Sequence, residues 1–337
     1  RAYYALPPLT RKSDGLPTGA VSGFCSMLFK LLEDSKSDQN LQKPTHFAVI
    51  FDSARKTFRN EIYSDYKANR SEAPDDLAPQ FEYIRKSVLA FNLPSVDLPN
   101  YEADDLIATY VDQILKKGAK VTIVSSDKDL MQLYKKGVRI FDPMKNKFIT
   151  DDDVLKKFGV DASKVIDVQS LAGDSSDNVP GVPGIGIKTA AELINKYKTL
   201  DRLLEKASEI PQNKRRETLL ENKDKALLSR QLVKLKDDVP VKDDPSSFKF
   251  KDVNKNNLGT ISDENGFFEI SKIKPQSYNL SVSYIGYQSK KIFNIIIKSK
   301  GNQTLEIYLL ESAQELDEIV LFLFCTNKKA ILFPAIF

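Results

Sequence analysis

Two short apolar runs, FAVIF at residues 47–51 and VTIVSS at residues 121–126, are rich in β-branched residues and do not alternate. That is the pattern of strands covered on both faces of a parallel sheet. Each run is followed at once by an aspartate, Asp52 or Asp127. Between them Leu106, Ile107, Tyr110, Val111, Ile114 and Leu115 recur at helical spacing and make one apolar stripe. Strand, helix and strand in that order predict a βαβ unit and an α/β fold. From residue 155 to about 236 the periodicity is helical, with short Gly-rich and Pro-rich breaks. Beyond the boundary segment DDVPVKDDPSSFKF the period drops to two. In YNLSVSY the residues Tyr278, Leu280, Val282 and Tyr284 alternate with Asn279, Ser281 and Ser283, and TLEIYLL repeats this with Leu305, Ile307 and Leu309. These predict a small antiparallel β domain over about residues 259–320. The most apolar stretch, residues 319–337, is interrupted by Asn327, Lys328, Lys329 and Pro334. It falls short of the roughly 20 apolar residues that a spanning helix needs, so no membrane span is predicted.

Composition narrows the chemistry. With 337 residues and 41% hydrophobic content, the chain can bury one large α/β core and a second small one. The net charge is only +4 although 28% of residues are charged, so recognition of a polyanion must come from local sorting of charge. Residues 211–236 show such sorting, with eight Lys or Arg against three acids on a helical stretch. Cys25 and Cys325 stand far apart, which excludes a disulfide framework and a Cys-rich zinc site and fits a reducing compartment. The single histidine, His46, removes most mechanisms that need a Ser-His, Cys-His or His-metal arrangement. The start at Arg1, without methionine or a leader pattern, reads as a fragment.

Carboxylates remain, and they are clustered. Asp52 follows the first strand, Glu102, Asp104 and Asp105 open the helix, Asp127 and Asp129 follow the next strand, and Asp174 and Asp177 lie in a Gly-containing turn. In a doubly wound parallel sheet the carboxyl ends of the strands share one edge, so these acids can converge. Any one of them could be a helix cap or turn residue. Together in one crevice they would repel one another unless divalent cations neutralised them. Oxygen ligands without His or Cys favour Mg²⁺ or Mn²⁺, and two such ions suit phosphoryl transfer without a histidine base.

Cations accompany the acids. In SARKTFRNEIYSDYKANR, residues 53–70, Arg55, Lys56, Arg59, Lys67 and Arg70 are interleaved with Phe58, Tyr63 and Tyr66, the mixture that holds single-stranded nucleic acid. An amphipathic surface helix would read similarly. GVPGIGIKTA, residues 181–190, is neither a Walker loop nor a dinucleotide fingerprint. It is a tight Gly turn opening a helix, able to offer N–H groups with Lys188 and Thr189 to a phosphate, or to serve as a turn alone.

The runs YEADDLIATY, SSDKDLMQL and LAGDSSDNVPGVPGIGIKTA, in this order and spacing, resemble the signature segments of the 5′-nuclease domain of bacterial DNA polymerase I over about residues 1–253. The resemblance implies a PIN-like parallel sheet with a helical arch in residues 1–150 and a helix-hairpin-helix-type helical subdomain for duplex DNA in residues 151–253. It implies a structure-selective 5′-to-3′ exonuclease and 5′-flap endonuclease, cytoplasmic and monomeric, acting on branched or nicked duplex DNA with two Mg²⁺ or Mn²⁺ ions. The ligand positions fall on Asp52, Glu102, Asp104, Asp105, Asp127, Asp129, Asp174 and Asp177. Catalytic positions fall on Tyr66, Lys67, Arg70 and Arg1, and duplex contacts on Gly184, Gly186, Lys188 and Thr189, with a K⁺ ion expected near Gly184 and Gly186; Arg55, Lys56 and Arg59 join the DNA contacts from their own interleaving with aromatic residues. Relatives carry, just before the equivalent of Arg1, a hydrophobic strand ending in a ligand aspartate. The expectation is therefore a sheet short of one central strand, and a DNA-binding remnant that no longer cuts is the alternative reading.

GTISDENGFFEISKIKPQSYNLSVSYIGYQSKK and LEIYLLESAQELDEIV resemble a carboxypeptidase-regulatory-like β-sandwich, assigned to residues 259–320, with residues 321–337 set apart as an apolar tail. Such modules work outside the cytoplasm, so this pairing reads as a recombined reading frame, and an envelope β-sandwich protein is a third reading.

Overall fold

The computed structural model describes residues 9–11, 14–37, 44–249, 260, 262–263, 266–271, 273–275, 277–282, 287, 290–298, 304–310 and 330–335. Contacts divide the chain into two units, one of Arg1–Lys43, Ala73–Leu93 and Phe250–Thr326, the other of Pro44–Glu72, Pro94–Lys249 and Asn327–Phe337.

The second unit is built on the predicted βαβ core. FAVIF becomes β1 (His46–Phe51), buried along nearly its whole length, and VTIV becomes β3 (Val121–Val124). With β2 (Ser95–Val96), β4 (Val138–Asp142), β5 (Lys147–Phe148) and β8 (Ala330–Ala335) they make a six-stranded sheet in the order β2-β1-β8-β3-β4-β5. All neighbours run parallel except β5, which closes the edge antiparallel to β4. The expectation of a missing central strand is answered here: the run AILFPA lies between β1 and β3, with Phe47 opposite Ile331 and Ile123 opposite Leu332. A run without charged residues suits a strand flanked by two others that are buried on both faces. Residues 321–329 and 336–337 lie outside the described residues.

The predicted helix is Ala103–Lys116. In chain order the helices before it are α1 (Gly19–Ser37), α2 (Phe58–Ile62) and α3 (Gln80–Ala90), so it is α4. Glu102, in an extended conformation, is its N-cap residue, Asp104 and Asp105 lie in its first turn and Lys116 in its last, matching charge to the helix dipole. Leu106, Ile107, Tyr110, Val111 and Ile114 are buried, while Leu115 is only partly so. Each fully buried Leu or Ile contributes about 1.5–3 kcal/mol by leaving water.

The apolar cluster continues into α5 (Asp151–Phe158), α6 (Val165–Ala172), α7 (Ile187–Tyr197), α8 (Leu200–Glu205), α9 (Asn213–Glu221) and α10 (Lys223–Val233), through Phe158, Val168, Leu171, Ile194 and Leu203. In the stretch after α2, residues 64–69 are turn, so the predicted arch is helical only at Phe58–Ile62 and from Gln80 onward.

In the other unit α1 packs against α3, and the buried Gln80 carboxamide accepts the Ala20 and Val21 N–H groups at 2.8 and 3.2 Å, satisfying two donors of the first turn of α1. Its described strands are β6 (Ser277–Val282) and β7 (Lys290–Ile296), an antiparallel pair. Tyr284, Glu264 and Gly259 lie outside the described residues. No described helix is long and apolar enough to cross a membrane.

Candidate active site

Parallel strands bring their carboxyl ends to one edge, and that edge carries Asp52 after β1 and Asp127 and Asp129 after β3. Asp52 Oδ1 accepts the Ala103 N–H at 2.7 Å, which ties the end of β1 to the N-terminus of α4. Glu102 and Asp104 therefore face the same crevice. The Ser125 hydroxyl accepts the Asp127 N–H, and Asp127 Oδ1 accepts the Asp129 N–H at 2.9 Å, curling the loop after β3. Asp174 and Asp177 arrive from the turn after α6. That turn needs its glycines: Gly173 and Gly181 have φ of +69° and +60°, and a Cβ on Gly173 would stand 2.5 Å from the Val179 carbonyl.

A strip from residue 65 to 70 is stitched to this turn. The Lys67 N–H donates to the Asp177 carbonyl at 2.9 Å, Asn69 Nδ2 to the Ser175 carbonyl at 2.7 Å, and Asn178 Nδ2 to the Asp65 carbonyl at 2.7 Å. The strip thus delivers its cations onto the acids. Lys67 Nζ is 2.6 Å from Glu102 Oε1 and 3.5 Å from Asp177 Oδ2, and Arg70 pairs with Asp177 Oδ1. The buried Tyr66 places its hydroxyl 3.3 Å from both Glu102 Oε2 and Asp177 Oδ2.

The electrostatics are those of an incompletely neutralised anionic crevice. Burial, then the carboxylates Asp127, Asp52, Glu102 and Asp129, push Asp104 well above the usual carboxylate range. Burial and Asp127 raise Asp129 to about 6 against the opposing pull of Lys128 and Gln169. Asp52 is raised by burial and Glu102, although the Ala103 N–H, Lys67 and Arg70 oppose this. Burial acts upward on Asp174 too, but hydrogen bonds from Lys128 and Ser176 hold it below the ordinary value. Among the described residues no three of these side chains already stand grouped around a cation position. Lys67, Arg70 and Lys128 take the carboxylates instead.

Two predicted assignments are corrected. Asp105, assigned to a metal, points away from the crevice and is 0% exposed, with both oxygens gripped by Arg59 at 2.7 Å. Arg59, assigned to DNA, is 1% exposed and cannot meet a phosphate. Sequence spacing puts them beside functional residues, but each helical residue is turned by about 100° from the one before it, and Asp105 is turned onto Arg59. Arg55 braces the chain at the Arg70 and Ser71 carbonyls, Lys56 is exposed, and Arg1 lies outside the described residues. Gly184, Gly186 and Lys188 are exposed and Thr189 half-buried, at the start of α7, where no side chain caps Gly186.

Two residues of the site were missed by the sequence reading. Lys128 sits between two predicted ligands and reaches Asp174. Gln169 donates to Asp129 Oδ1 at 2.5 Å while its buried Oε1 finds no partner among the described residues. An amide on the mostly apolar, buried side of the VIDVQSLA helix, beside Val168 and Leu171, was the available signal.

The family model "5′-3′ exonuclease, N-terminal resolvase-like domain" matches residues 1–159, and "5′-3′ exonuclease, C-terminal SAM fold" matches residues 160–256. A 5′-3′ exonuclease of Aquifex aeolicus is 39% identical over 257 residues, covering 76% of this chain and 85% of the relative. The chain belongs to the 5′-3′ exonuclease family. A DNA polymerase I of Rhizobium leguminosarum is 59% identical over 241 residues, 72% of this chain, and the chain spans only 24% of that protein's length. The T5 5′-exonuclease structure with bound zinc, at 24% identity, superposes with a TM-score of 0.55 over 64% of this chain and 80% of the phage enzyme, which shows a shared PIN-like α/β fold. Over residues 252–321 the match is instead to a CarboxypepD_reg-like domain, as the resemblance of residues 259–320 implied.

Proposed function

We propose that this 5′-3′ exonuclease family chain hydrolyses DNA phosphodiesters from 5′ ends and at 5′ flaps, with two Mg²⁺ or Mn²⁺ ions in the carboxylate crevice. One observation carries the reading. With Asp105 neutralised by Arg59, seven described carboxylates (Asp52, Glu102, Asp104, Asp127, Asp129, Asp174, Asp177) face three cations (Lys67, Arg70, Lys128), leaving a formal excess of four negative charges. Two divalent cations balance that excess, and an all-oxygen donor set suits hard ions. The raised acids and the orphaned Gln169 acceptor support the fit.

Asp52, Glu102 and Asp104 would hold one ion, and Asp127, Asp129, Asp174 and Asp177 the other. When bound, such ions supply an activated water and charge stabilisation at the leaving oxygen. The chain's own residues do the rest. Lys67 and Arg70, paired with Glu102 and Asp177, would meet the reacting phosphate, where charge develops, with their remaining donors. Tyr66 orients the Glu102 carboxylate. The uncapped first turn of α7, with Lys188 and Thr189, holds a duplex phosphate, and the K⁺ expected near Gly184 and Gly186 belongs to the same duplex grip. The substrate is branched or nicked duplex DNA with a 5′ end, bound by a monomer in the cytoplasm.

A labelled 5′-flap duplex tests this. Cleavage is expected with Mg²⁺ or Mn²⁺ and none with excess chelator; undiminished cleavage in chelator overturns the two-cation reading.

A further inference from the structure

The Arg59–Asp105 pair does more than fill the interior. Asp105 Oδ1 accepts from Arg59 Nη2 at 2.7 Å and from the Lys236 N–H at 2.9 Å, while Oδ2 accepts from Arg59 Nη1 at 2.7 Å and from the Glu102 N–H at 3.2 Å. The guanidinium spends its other donors on backbone: Nε on the Leu232 carbonyl at 2.7 Å and Nη2 on the Lys234 carbonyl at 3.2 Å. Those carbonyls lie at the end of α10, whose C-terminal dipole favours a cation. One pair therefore joins α2, the first turn of α4 and the exit of α10.

A well-packed apolar pair of similar volume would serve stability as well as a buried ion pair does, so stability alone does not account for it. Direction does. A planar bidentate fork allows one relative orientation of its partners, which an apolar contact does not. The residue it holds by the backbone is Glu102, and Arg59 Nη1 also stands 3.6 Å from the Glu102 carboxylate.

We propose that Arg59 and Asp105 are positioning residues that set Glu102 and Asp104 in the crevice and lock them to the exit of α10, making cation site and helical region one rigid piece. This rests on the nuclease reading above.

The test uses the full chain, with the variants Arg59→Met/Asp105→Leu and Arg59→Lys, and reads thermal unfolding, Mn²⁺ binding without DNA, single-turnover flap cleavage and flap affinity. The double variant is expected to unfold cooperatively, to bind Mn²⁺ at least tenfold more weakly, and to lose more in single-turnover rate than in flap affinity. Arg59→Lys, which keeps the charge and loses the fork, is expected to show the same split at smaller size. A folded double variant with the parent's Mn²⁺ affinity and rate overturns the proposal. If the double variant does not fold, Arg59→Lys decides: parent-like Mn²⁺ affinity and rate overturn it, and a loss of both in a folded protein supports it. A parent chain that neither binds Mn²⁺ nor cuts overturns the nuclease reading instead.

Discussion

Asp104 and Asp105 are adjacent on the first turn of α4, yet they belong to opposite electrostatic regions. Asp105 sits in a closed junction where the chain supplies a full set of partners: a bidentate guanidinium and two backbone N–H groups. Asp104 sits in an open crevice where the charges acting on it most strongly are other carboxylates. The first region settles its charge within the fold. The second leaves charge over, and it is the second that calls for cations from solution. Charge count in the sequence treats the two alike; the number of partners per oxygen separates them.

The sharpest way to break this contrast is to remove each carboxylate in turn. Asp105→Ala strands a buried guanidinium and is expected to cost about 3–5 kcal/mol of folding stability. Asp104→Asn removes one member of a mutually repelling set and is expected to stabilise the cation-free protein. Urea unfolding in chelator measures both. Equal destabilisation by the two substitutions would end the distinction between junction and crevice.

Lys67 probes the crevice from the side of the cations that the chain lends to it. Its ammonium, 18% exposed, bridges Glu102 and Asp177. If it also meets the reacting phosphate, Lys67→Ala should lower the single-turnover rate by about 10²–10³-fold, the usual cost of one lost transition-state donor, with flap affinity nearly kept. A variant that loses affinity and keeps its rate would place Lys67 in substrate binding only.

Divalent ions should act on the crevice and not on the junction. Mg²⁺ at 100 times its dissociation constant is expected to stabilise the chain by about 2.7 kcal/mol through mass action. The rise in Tm should shrink in Asp104→Asn and in Asp129→Asn. An equal rise in all three proteins would locate the ions elsewhere.

Much of this was legible beforehand, for identifiable reasons. β1, β3 and α4 announce themselves because apolar runs and a helical stripe are local patterns, and the acids at strand ends follow from where parallel strands must finish. Arg59 and Asp105 were misassigned because which way a side chain turns within a cluster depends on contacts 46 residues apart, and on Leu232, 173 residues away from Arg59. β8 was missed because AILFPA carries a proline and its register partners lie far back in the chain, Ala330 opposite both His46 and Val121, so nothing local marks it as the neighbour of both β1 and β3.

The smallest expected effect lies outside both regions, at the start of α7. Lys188 is exposed, with neither hydrogen bond nor ion pair among the described contacts, beside the open helix N-terminus at Gly186. It has no carboxylate to neutralise and no buried partner to orient, so its charge is available to a backbone phosphate alone. One such contact releases about one counterion, and Lys188→Ala should lower the slope of log affinity against log salt by roughly 0.9. The loss should be similar for every duplex sequence, because phosphate contacts carry no base information. Single-turnover cleavage of fully bound flap should stay at the parent rate if α7 holds substrate away from the reacting phosphate. Fluorescence anisotropy across a salt series, paired with single-turnover cleavage at saturating protein, separates the two quantities. An unchanged salt slope together with a slower cut would move Lys188 from the duplex grip into the chemistry and blur the boundary between helical region and crevice.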